Sequence, residues 1–121
     1  MPNAPGEPLR VLVVEDEPTS REALRDLIEL EGYVVETASR GDAALLQQRA
    51  TPPDLLLTDL HLPGLDGLSL ARCTREETGC AVLVMTGSDW ARHADLEFEL
   101  VEKPIDLDRL LDQMRRVLAA R

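Results

Sequence analysis

The sequence predicts an α/β domain: a parallel sheet with helices on both faces. Short aliphatic runs alternate five times with segments of helical character, which is the order of a strand–helix wound fold. The runs themselves are apolar at nearly every position, as strands covered on both sides must be. At 121 residues, 44% of them hydrophobic, the chain can build one core and not two.

"LRVLVV" (Leu9 to Val14) is too short for a helix and rich in valine, so it reads as the first strand. From Pro18 to Glu31, Leu24, Leu27 and Ile28 recur at helical spacing between charged residues. Proline suits the first turn of that helix and Gly32 its end. "YVVET" follows as a strand, and "GDAALLQQRA" as a helix that stops before Pro52 and Pro53. "DLLLTD" (Asp54 to Asp59) is the third strand, "LHLPGLDG" a loop and "LSLARCTREE" a helix. "AVLVMT" and "LEFELV" complete the strands. Leu107, Leu110, Leu111, Met114, Val117 and Leu118 then trace one helical face, with Asp106 placed to cap it. Residues 1–8, rich in Pro and Gly, are expected to form a short disordered lead-in and residues 9–121 the domain.

Charge narrows the function classes. With 23 acidic against 13 basic residues, the net charge of −10 disfavours a nucleic-acid surface and an anionic membrane surface. No apolar run approaches the ~20 residues that span a bilayer. The opening "MPNAPGEP" lacks the basic-then-apolar order of a secretory signal, so a cytoplasmic location is expected. Cys73 and Cys80 lack the partners of a disulfide framework or a zinc site and read as small hydrophobes.

In folds of this kind the site lies at the carboxyl ends of the strands. Four of the five strand ends carry reactive side chains: Glu15 and Asp16, Asp59, Thr86, and Lys103, the only lysine in the chain. Each alone reads as a turn or capping residue. Together they bring three carboxylates to one sheet edge. At ~4 Å and an effective dielectric of ~20, each carboxylate pair costs about 4 kcal/mol. Such a cluster must hold protons or recruit a cation. Hard oxygen ligands without His or Cys select Mg²⁺ or Ca²⁺, and few acids with several waters suit Mg²⁺. A cation, a lysine and a hydroxyl make a place for a phosphoryl group, and Asp59 stands ready to attack phosphorus.

"VLVVEDEP", "DLLLTDLHLPGLDG", "VLVMTG" and "LVEKP", in that order, resemble the receiver domain of two-component response regulators, from about Leu9 to Leu118. The resemblance implies a flavodoxin-like, doubly wound five-stranded sheet in the order 2-1-3-4-5. It implies phosphorylation of Asp59 by a sensor histidine kinase or a histidine phosphotransfer protein. Mg²⁺ would be held by Asp16, Asp59 and the backbone carbonyl of His61, with Glu15 acting mainly through water. Thr86 and Lys103 would take phosphoryl oxygens, and Lys103–Pro104 would be cis. Pro63, Gly64, Asp66 and Gly67 would shape the loop after Asp59. His61 and Ser88 stand at positions that vary in the family and tune hydrolysis, while His93 reads as a surface residue.

Two features depart from the family. Only 16 residues separate Thr86 from Lys103. With a last strand at Leu96 to Val101, residues 87–95 must cross back over the sheet, against ~10–12 for a usual crossover. The fourth helix is therefore expected to be one or two turns or a loop, with Trp90 in the segment reporting any movement. Leu100 stands where the family has Tyr or Phe, so the switch is expected to differ. The expected role is a phosphorylation-controlled binding module that acts on no external substrate, with a downstream protein or an attached output domain as target. A stand-alone regulator and a part of a larger regulator or hybrid kinase both fit. An aspartyl-phosphate phosphatase would need a second acid/base, and "TDLHLPG" offers His61 but no second aspartate two residues after Asp59. A flavodoxin-like cofactor binder would need phosphate donors where "EDEPTS" begins with three acids in four residues.

Overall fold

The computed structural model describes residues 6–87 and 97–121. Its elements run β1 (Arg10–Val14), α1 (Pro18–Leu30), β2 (Val34–Ala38), α2 (Gly41–Ala50), β3 (Leu55–Asp59), α3 (Gly67–Thr78), β4 (Ala81–Thr86), β5 (Glu99–Glu102) and α4 (Leu107–Ala120). The five strands form one sheet in the order β2-β1-β3-β4-β5. Every adjacent pair is parallel. This is the doubly wound α/β architecture expected from the alternation of runs.

The aliphatic runs behave as two-faced strands. Val11, Val13, Leu55, Leu57, Leu83 and Met85 pack with Leu24 and Ile28 of α1 and with Leu110 and Met114 of α4. Their neighbours Leu12, Val14, Leu56, Val82 and Val84 pack on the opposite face with Ala44 of α2 and with Leu70 and Ala71 of α3. Each fully buried leucine contributes about 1.5–3 kcal/mol. Together these two layers fix the sheet that carries the strand-end residues.

Helix ends follow local chemistry. Asp66 caps α3 and Asp106 caps α4, each accepting the backbone N–H three residues on. α1 is capped by Glu17, which accepts from Thr19 N and Ser20 N. Gly79 ends α3 at φ 71°, a left-handed conformation that only glycine adopts freely.

The first three strands shift by one residue at one end or both from their expected bounds, and the last strand differs most. β5 begins at Glu99, paired with Leu83, rather than at Leu96. Glu97 and Phe98 form a bend outside the ladder: Glu97 is held by Arg72 and Arg75, and Phe98 is buried in the core. The crossover thus occupies residues 87–98. The short fourth helix, the readings of Ser88, Trp90 and His93, and the lead-in over residues 1–5 lie outside the described residues. Among the described residues, no helix is long and apolar enough to cross a membrane.

Candidate functional site

β1 delivers Glu15 and Asp16 to the carboxyl edge of the sheet, β3 ends in Asp59, β4 ends in Thr86, and Lys103 follows β5 directly. Glu15, Asp59 and Thr86 are buried, whereas Asp16 is exposed. One ligand oxygen from each of Glu15, Asp16 and Asp59 lies within 4.8 Å of the others. Lys103 reaches across them: its Nζ is 2.6 Å from Asp59 Oδ1 and 3.0 Å from Glu15 Oε1. The contact to Asp59 is a buried ion pair, with the ammonium as the partner of Oδ1. An open bowl of about 260 Å³ is lined by Asp16, Asp59, Leu60, His61, Thr86 and Lys103, among others. The expected site residues therefore converge, including exposed His61 at its rim.

The electrostatics follow from crowding acids in a poorly solvated place. Burial, then the hydrogen bond and charge of Glu15, push the Asp59 carboxyl up to about 7 against the pull of Lys103. Glu15 moves the other way. Burial acts to raise its pKa, but hydrogen bonds with Asp59 and Lys103 outweigh it and lower the value. The two acids therefore titrate as a pair, with Asp59 the member whose ionisation is disfavoured. Burial likewise acts against the Lys103 ammonium, yet its two carboxylate partners raise its pKa. The charge is locked in place.

The site is held both by the loop residues the resemblance named and by Glu17, Arg21 and Gly41, which the sequence did not single out. Glu15 takes the N–H of Glu17 on Oε2, and its carbonyl accepts from Arg21 Nη1 at 3.0 Å. These bonds turn β1 into α1 and commit Glu15, leaving exposed Asp16 as the accessible acid. The loop after Asp59 is anchored at both ends. Leu60 N donates to Met85 O and Gly67 N to Leu60 O. A Cβ at Gly67 would overlap the Asp59 carbonyl oxygen, so α3 starts directly against the acidic residue. Gly41, at the start of α2, lies equally close to the Leu65 carbonyl and donates its N–H to Pro63 O. Gly64, at φ 80°, makes the turn between them. The Lys103–Pro104 bond is cis, as the resemblance implied, and Lys103 N donates to Thr86 O at 2.8 Å.

The family model for the response regulator receiver domain matches residues 11–115. The chain belongs to that family. This receiver domain is 38% identical to the response regulator MprA of Mycolicibacterium vanbaalenii, over 92% of this chain and 51% of that protein. It is 43% identical over 77 residues to the transcriptional regulatory protein BaeR of Escherichia coli O6:H1, covering 64% of this chain and 32% of that one. The receiver thus spans about half or less of the length of these relatives. A response regulator receiver domain protein from Clostridium thermocellum superposes with a TM-score of 0.85 at 27% identity, over 93% of this chain and 95% of that one.

The donor set passes a chemical test for a hard divalent cation. It consists of carboxylate oxygens only, one from each of three residues, gathered within 4.8 Å of one another. Glu15, Asp16 and Asp59 are the residues that could hold such an ion.

Proposed function

We propose that this receiver domain accepts a phosphoryl group on Asp59, with Mg²⁺ as cofactor, and that the modified state alters its protein contacts. The supporting observation is the Lys103 ammonium 2.6 Å from Asp59 Oδ1, inside a three-carboxylate cluster. When bound, Mg²⁺ would neutralise charge on the acids and on the incoming phosphoryl oxygens.

The chain's own residues supply the rest. Asp59 carries the nucleophilic oxygen, and the wall of Leu60, Met85 and Gly67 holds its backbone still. Its O–P bond forms as the donor's bond to phosphorus breaks, and the leaving group departs with the electron pair. Lys103, already charged and aimed at Asp59, stabilises negative charge on the transferring group. Thr86, at the end of β4 in the same bowl, offers a hydroxyl to a phosphoryl oxygen. The donor would be a phosphohistidine on a sensor kinase or a histidine phosphotransfer protein, and no external substrate is turned over.

The output is a further proposal. BaeR is by name a transcriptional regulator, which supports a regulatory readout through another domain. The receiver's own charge of −10 opposes direct contact with nucleic acid. Incubation with acetyl phosphate tests the reading. Wild type with Mg²⁺ should gain the mass of one phosphoryl group as a hydroxylamine-labile acyl phosphate, and Asp59→Asn should not. Equal labelling without a divalent cation, or in Asp59→Asn, would overturn it.

A further inference from the structure

We propose that Gln113, from α4, and the pair Arg72 and Arg75, from α3, position Lys103 for phosphoryl transfer by clamping β5 from the two faces of the sheet. The inference rests on the phosphoacceptor reading above.

β5 is the weakest part of the sheet by construction. It is four residues long, lies at the edge and pairs only with β4. Short edge elements with few neighbours open at low cost. Yet the residue that follows β5 is Lys103, whose ammonium must stay within an ångström or so of its place to act on a transferring group. Something besides the ladder has to hold the strand.

Two helices do so. Gln113 Nε2 donates to Glu99 Oε2 at 2.8 Å and to the Leu100 carbonyl at 2.9 Å, joining the first two residues of the strand to α4. Arg116 adds an ion pair to Glu99 Oε2 at 3.6 Å. From α3, Arg72 Nε and Arg75 Nη2 divide the Glu97 carboxylate between them at 2.9 and 2.7 Å. Arg75 also stacks 4.5 Å above the buried Phe98 ring. The first clamp ties α4 to the strand at both a side chain and a backbone carbonyl, so a slide of β5 along α4 must break two hydrogen bonds. The second is a shared-carboxylate network, stronger than isolated surface pairs.

The clamps close a ring. α3 begins at Gly67, packed on the Asp59 carbonyl, and grips the entry to β5 two turns later. β5 leads to Lys103, which returns to Asp59. Gln113, Thr86, Leu100 and Lys103 line one groove of about 440 Å³, so the α4 clamp borders the reaction site itself. The distance between nucleophile and ammonium is thus set through α3, β5 and α4 as well as by their direct contact.

The test measures the initial rate of Asp59 phosphorylation by acetyl phosphate at saturating Mg²⁺, and separately the Mg²⁺ affinity of the unphosphorylated domain. Gln113→Met keeps side-chain length and helix propensity while removing both donors. It should slow phosphorylation roughly three- to tenfold, the value of one or two hydrogen bonds, and leave Mg²⁺ affinity equal or tighter. In a Lys103→Ala background, the same substitution should change the rate less than twofold. Glu97→Gln, at an exposed position, serves as the second variant and should give a smaller loss with the same dependence on Lys103, whether or not Gln113→Met folds. Unchanged rates in both variants would overturn the proposal. So would equal losses with and without Lys103, or a parallel fall in Mg²⁺ affinity, since each marks a structural role alone. Absence of phosphorylation in wild type would instead overturn the phosphoacceptor reading.

Discussion

Without Mg²⁺, raising the pH from 5 to 8 forces the buried acids at the sheet edge to ionise together. In the unfolded chain Asp59 is already ionised at pH 5, because its ordinary value is 3.8, while in the folded chain it keeps its proton until about 7. The native state therefore binds more protons across this window, and stability must fall as pH rises through it. About two pH units of the window lie between 5 and 7. At 1.36 kcal/mol per unit the fall is on the order of 2–3 kcal/mol. Glu15 does not cancel it: its lowered pKa gives stability that is present above its unfolded value and lost only at lower pH. The assay is urea or thermal unfolding at pH 5 and pH 8, with EDTA or with Mg²⁺, on wild type and Asp59→Asn. Wild type in EDTA should lose roughly 8–12 °C in Tm between the two pH values. Asp59→Asn should lack that fall and be the more stable protein at pH 8, and Mg²⁺ should restore wild type by about 2.7 kcal/mol at a hundred times its Kd. An equal pH response in Asp59→Asn, or a mutant less stable than wild type at pH 8 in EDTA, would refute the claim that burial beside Glu15 strains Asp59.

Gly67→Ala should destabilise the domain by about 1–3 kcal/mol in urea unfolding, because the new Cβ overlaps the Asp59 carbonyl oxygen. Lys103→Arg should fold normally yet bind beryllofluoride with Mg²⁺ at least tenfold more weakly, since a planar guanidinium cannot occupy the place of a compact ammonium between Glu15 and Asp59. Asp66→Ala should cost about 1 kcal/mol through loss of the α3 cap, where Asp66 accepts from both Ser69 N and Ser69 Oγ. Asp54→Ala should cost about 2 kcal/mol in unfolding, because the buried carboxylate accepts from Arg10 N at 2.7 Å and from Arg121 at 2.8 Å.

What the sequence made legible was whatever repeats or stands at the end of a run. Leu55, Leu56 and Leu57 can only be a two-faced strand, and the acid after such a run must emerge at the sheet's edge. Where partners come from distant parts of the chain, the reading failed. LEFELV looks like one strand because its apolar residues alternate, but pairing starts at Glu99 because the β4 register meets it there. Gly41 looks like a helix start, and its contact with Leu65 needs the folded loop to be visible. Glu17 is not among the favoured caps, so Pro18 drew attention in its place. Arg21, Gln113 and Arg75 read as ordinary polar positions on helices. Only tertiary structure shows that each reaches a residue at or beside the site.

The same distinction separates the chemistry from the response. The chemistry needs groups at strand ends, and a short motif can encode those. The response depends on how β5 is restrained, and that depends on contacts made across the sheet. Leu100 has no ring to rotate, and the single phenylalanine, Phe98, is buried under Arg75 just before the strand, so it cannot take that part. The Leu100 carbonyl is also tied to Gln113. Rotation of a side chain on β5 is thus replaced by a strand fixed from both faces. On the proposed function, a change at Asp59 would reach the surface through the parts that touch it: Gly67 at the start of α3 and Lys103 after β5. The exposed arginines Arg72, Arg75 and Arg116 hold Glu97 and Glu99 by ion pairs that salt screens, so a response carried through them would depend on ionic strength, as one carried by an aromatic rotor would not.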